Sequence, residues 1–115
     1  MRLVENMQNN KGRSVPNQFL IVGTYNGQEG LYFQSYKSLI AFKPSFPGNG
    51  ANITLDRGTW DHSTTTGKYR NRFLVEDKKA TQKKIDSGEY ILADLNSFRH
   101  SSRFTSAKVN VWIYV

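Results

Sequence analysis

Residues 18–43, QFLIVGTYNGQEGLYFQSYKSLIAFK, decide the fold. The run from Gln18 to Tyr25 is β-branched and aromatic, Asn26-Gly27 and Gly30 supply turn residues, and LYFQSY resumes the apolar pattern. This predicts a β-hairpin with a five-residue loop, NGQEG. SLIAFK adds a further strand that stops at Pro44, and the two Pro and two Gly of residues 44–50 mark a surface loop. ANITLDRG, with Ile53 and Leu55 between polar neighbours, reads as a half-buried strand. The first half of the chain is therefore an antiparallel meander.

Working outward, the pattern changes at Trp60. Ser63 is an N-cap residue for a helix whose Tyr69 and Phe73 lie four apart on one face. Asp77 caps a second helix, KKATQKKIDSG, whose stop is Gly88. YILADL (90–95) is an apolar strand, and KVNVWIYV (108–115) predicts a C-terminal strand whose aliphatic face is buried. Towards the amino terminus, residues 1–17 are rich in Asn and Gln and include Pro16, which predicts a flexible arm. The expected organisation is an arm, 1–17, and a single α+β domain, 18–115. The domain is an antiparallel β-meander with two short helices and a C-terminal strand. Trp60, Tyr32 and Tyr36 are expected in the core or on the sheet face rather than as base platforms.

Composition narrows function. The 115 residues carry a net charge of +7, which excludes an acidic nucleic-acid mimic and favours an acidic partner. The charge is uneven: residues 68–84 hold seven basic and two acidic side chains, while 18–67 balance three against three. Lys68 and Arg72 share a helix face, and with Arg70, Lys79 and Lys83 they make a basic surface suited to phosphate. Arg99 and Arg103 flank aromatics in FRHSSRF (98–104), a mixture suited to unpaired bases and phosphate. The first helix start adds an expected anion site at Ser63, Thr65 and Thr66. Gly67-Lys68 does not complete a P-loop, because position 62 is His and position 69 is Tyr.

No Cys is present and there are only two His, so neither metal nor cofactor is expected. Asp61, His62 and Ser63 contain hydrolase residue types, but adjacent positions do not converge into a relay, and no enzyme activity is expected. The amino terminus lacks a signal-peptide pattern and no long apolar run exists, which predicts a cytoplasmic protein without membrane association.

Three islands carry a resemblance: Phe33 to Ala41 (FQSYKSLIA), Trp60 to Tyr69 (WDHSTTTGKY), and Gly88-Glu89-Tyr90 leading to Asp94-Leu95-Asn96. They resemble an uncharacterised family of small phage and prophage proteins with an F-x-S-Y, L-I-A, W-D-x-S-x-T-T-x-K and D-L-N pattern. Position 62, His here, is more often Tyr in that family. The resemblance implies a phage or mobile-element origin and residence in the cytoplasm of an infected or lysogenic bacterial host, and it transfers no catalytic residue. Two functions follow as expectations. The first is a non-catalytic accessory protein binding nucleic acid, single-stranded DNA or RNA ahead of duplex. The second is an inhibitor of a host defence or nucleic-acid-processing nucleoprotein complex, of anti-CRISPR type. Self-association into a homo-oligomer through the C-terminal strand is an additional arrangement the aromatic face of Trp112 and Tyr114 allows.

Overall fold

The computed structural model describes residues 3–46 and 52–97. One tight hairpin is built at Asn26-Gly27, where φ values of 52° and 77° place both residues in the left-handed region that a twisted two-residue turn demands. Strand β2 (Ser14–Tyr25) therefore passes directly into β3 (Gln28–Ser35), with Tyr25 opposite Gln28. The expected five-residue loop is corrected to two residues. Gly30 lies inside β3 instead of in a turn, and only a residue without a side chain fits there, because a Cβ would strike the Phe42 ring and the Lys43 carbonyl.

The sheet continues through β4 (Ser38–Pro44), β5 (Thr54–Asp56) and β6 (Ile91–Ala93). Strand β1 (Val4–Gln8) closes the opposite edge, and the six strands lie in chain order. All pairs are antiparallel except β5 with β6, which is parallel because two helices intervene between them. These are α1 (Thr64–Leu74) and α2 (Lys78–Asp86), capped by Ser63 and Asp77 as their sequences predict. Gly88, at φ 85°, follows the end of α2. The architecture is α+β with a mostly antiparallel sheet. Among the described residues no helix is long and apolar enough to cross a membrane.

The helices cover one face of the sheet. There Phe73 and Leu74 of α1 join Phe33, Ile40, Ala41 and Leu55 in one core, with Ile85 of α2 packed against it. Ile40 and Ala41 reach the same face because Ile40 is an extra residue in β4: Phe33 pairs with Ala41, and Gln34 next to it pairs with Leu39. The opposite face carries Ile21, Tyr32, Leu39, Phe42 and Leu95. Strand β5 is buried along its whole length, not half-buried, since it has a strand on each side.

Within the expected arm, 1–17, the described residues 3–17 are corrected most. Val4, Glu5 and Asn6 pair with Ile21, Leu20 and Phe19, and Met7 is buried in the helical-face core. A polar edge strand needs little apolar surface, because backbone hydrogen bonds hold it to β2. The Asn-rich stretch between the strands is the turn, where Asn9 Oδ1 accepts from the amides of Lys11 (2.9 Å) and Arg13 (3.0 Å). Tyr32 is buried and Trp60 packs against the core, but Tyr36 is 55% exposed, which corrects its core assignment. It sits in the β3–β4 turn with φ 57°, outside the strand alternation. The C-terminal strand expected at 108–115, with Arg99 and Arg103, lies outside the described residues.

Candidate anion-binding cleft

The start of α1 is fastened to the sheet by hydroxyl groups. Ser63 Oγ accepts from the Thr66 amide (3.1 Å), and the buried Thr66 hydroxyl donates to Ser35 Oγ at the end of β3 (3.1 Å). One turn on, Arg70 points inward and is only 1% exposed. Its guanidinium donates to the Trp60 carbonyl (2.8 Å), to Asp61 Oδ1 (3.3 Å) and to Asn71 Oδ1 (2.9 Å), and it stacks on the Trp60 ring at 5.2 Å. Its Nε has no acceptor among the described residues. Arg70 is a structural clamp on the loop that leads into α1.

Asp61 then links the two helices. Its other oxygen takes the ammonium of Lys78, the first residue of α2, at 2.7 Å. The hydrogen bond from Lys78, assisted by Arg70, holds the Asp61 carboxyl below its ordinary value against the opposing effect of partial burial. The starts of both helices are thus drawn together around an open cleft of about 660 Å³. Among the described residues, Lys68, Arg70 and Lys78 line it against the single carboxylate of Asp61, with Ser63, Thr64 and Asn71 supplying neutral polar groups. Helix starts present unpaired amides, so the positive end of the α1 dipole adds to these cations. Arg70 and Lys78 are both bonded to Asp61, so Lys68, beside the α1 start, is the lining cation that could meet an anion.

The predicted site residues separate into groups. Lys68 lines the cleft and is exposed, with its ammonium 5.4 Å from the Tyr69 ring. Ser63 lines it as well, its oxygen committed to the cap. Thr65 is exposed but does not line the cleft. Thr66 is fully buried, which removes it from any anion site. Arg70 is likewise removed from the binding surface. Arg72 is exposed, four residues beyond Lys68, and donates to the Gln8 carbonyl at the end of β1 (2.8 Å). Lys79 and Lys83 are exposed on α2, outside the cleft lining, whereas Lys84 is paired with Glu76 at 2.7 Å. Asp61, His62 and Ser63 turn to three different sets of partners: the two cations, the Thr59 carbonyl (2.7 Å) and the Thr66 amide.

Sequence reasoning does not single out Lys78, Asp61 or Asn71 as lining residues. The burial of Arg70 does carry a signal: Thr66, Arg70, Phe73 and Leu74 fall at i, i+4, i+7 and i+8, the spacing of a single helix stripe. The D-L-N stretch is structural. Leu95 belongs to the second core, and the Asn96 side chain holds the Leu39 backbone at both its amide (2.7 Å) and its carbonyl (2.9 Å).

These features define an α+β protein with a cationic cleft at the converging starts of its two helices. The chain belongs to DUF8033, a family of unknown function, whose pattern matches residues 1–89 and so includes the segment that forms β1. No curated protein and no solved structure matches the chain.

Proposed function

We propose that this protein is a non-catalytic accessory protein of phage or mobile-element origin, acting in the host cytoplasm, that binds nucleic acid through its phosphates. The observation that carries the reading is the cleft itself, where Lys68 and Lys78 stand beside the α1 start with one opposing carboxylate among the described residues. Arg72, Lys79 and Lys83 extend the positive surface beyond it. Phosphate contacts of this kind release counterions, so affinity falls steeply with salt. Titration of labelled single-stranded DNA, RNA and duplex across a salt series tests this. Lys68→Ala with Lys79→Ala is expected to lower the slope of log affinity against log salt by about one for each phosphate that is no longer neutralised. Absence of binding to all three at low salt refutes it.

Asp61 supports a second reading, since Lys78 already holds a carboxylate in the cleft. The surface then fits an acidic patch of a host defence or nucleic-acid-processing complex, and the protein is an inhibitor of anti-CRISPR type. Capture of a host complex that survives nuclease treatment, with no oligonucleotide binding, selects this alternative.

A further inference from the structure

We infer that Tyr36, on the turn fastened to the cleft helix, is a base-stacking platform, so that the nucleic acid this protein takes is single-stranded; this rests on the phosphate-binding reading above. Tyr36 occupies the turn between β3 and β4, where Ser35 pairs with Ser38. Its φ of 57° lies in the left-handed region that a bulky side chain disfavours. The ring gains no core burial in return, being 55% exposed, while Tyr32, Phe33 and Phe42 on the neighbouring strands are all 3% exposed or less. A turn position that suits Gly or Asn therefore carries an exposed aromatic.

The backbone that carries the ring is also held. The Tyr36 amide donates to the Asn17 carbonyl (2.7 Å), and the Tyr36 carbonyl accepts from Gln34 Nε2 (2.6 Å). Both backbone polar groups are thus committed, and a tyrosine side chain, with only two rotatable bonds, loses little freedom when it binds. Its turn is fastened to the helix that opens the cleft: Ser35, the preceding residue, accepts from Thr66 in the first turn of α1, whose amide is capped by the cleft residue Ser63. Lys37, the next residue, is exposed. An exposed aromatic face followed by a cation, on a turn bonded to the helix that opens the cleft, suits an unpaired strand. Bases inside a duplex are stacked on each other and offer no face to such a ring.

The test uses the full chain with a labelled oligothymidylate of about 15 nucleotides and a duplex of equal length, over several salt concentrations. Tyr36→Asn suits the left-handed turn, so it is expected to melt at or above the wild-type temperature while losing about 5- to 100-fold in single-strand affinity at an unchanged salt slope. Tyr36→Phe keeps the ring face and is expected to bind within about twofold of wild type. Salt-dependent binding that Tyr36→Asn leaves intact overturns the stacking inference alone. Equal loss on duplex and single strand overturns the single-strand assignment. No binding, or binding without salt dependence, overturns the cleft reading and this inference with it.

Discussion

Replacing Arg70 by Ala separates a clamp from a binding residue. The guanidinium makes three hydrogen bonds, to Trp60, Asp61 and Asn71, at 2.8, 3.3 and 2.9 Å, and stacks on an aromatic ring. Removing one member of a buried ion pair costs about 3 to 5 kcal/mol, mostly because the partner is left charged and unpaired. Here the lower end applies. Asp61 is 33% exposed and keeps Lys78 at 2.7 Å, and the unpaired Nε disappears along with the side chain. A loss of about 3 kcal/mol in a domain of this size lowers Tm by roughly 10 to 15 °C. Lys68→Ala, on the open side of the same helix, is expected to stay within about 0.5 kcal/mol of wild type. Thermal melts and urea titrations followed by circular dichroism measure both. If Arg70→Ala melts like wild type and loses oligonucleotide binding instead, Arg70 is a binding residue and the clamp assignment is wrong.

Phe73→Ala empties the space between α1 and the sheet, where Phe73 is 5% exposed and its ring lies 5.7 Å from that of Phe33. A cost of about 3 to 5 kcal/mol is expected in denaturant titration, and a cost below about 1 kcal/mol refutes the packing. Acid should weaken the fold through two carboxyls. Burial pushes Glu76 up, but the hydrogen bonds from Lys84, Thr81 and Tyr90 outweigh it, so Glu76, like Asp61, lies below its ordinary value. The unfolded chain binds these protons more readily, so the stabilisation is complete above the ordinary values of 4.5 and 3.8 and is lost as pH falls through the depressed ones. Asp61→Asn with Glu76→Gln is expected to flatten the dependence of Tm on pH in that range, and an unchanged profile refutes the assignment. Val75 ends α1 in the left-handed region, at φ 59°, and is 84% exposed. Val75→Gly is expected to gain about 0.5 to 1 kcal/mol by relieving that strain, and a lower Tm refutes it.

Local chemistry was legible wherever one or two residues settle a conformation. Ser63 and Asp77 cap helices because their side-chain oxygens reach amides three residues ahead, at 3.1 and 2.8 Å. Asn26-Gly27 turns the chain because both residues accept positive φ. The amphipathic runs of β2 to β4 mark strands because alternate residues must enter opposite cores. Tertiary structure decided what these rules do not reach. A polar segment became β1 because β2 offered it a free edge, a partner that no property of residues 4–8 announces. Arg70 turned inward because the Trp60 carbonyl, Asp61 and Asn71 were brought around it. Tyr36 turned outward because its position in the turn took it out of the strand pattern. The candidate cleft exists because Asp61 and Lys78, seventeen positions apart, meet across two helix starts. A charge count registers both residues but leaves open whether they face water, each other or a ligand, and their distance in the folded chain settles that.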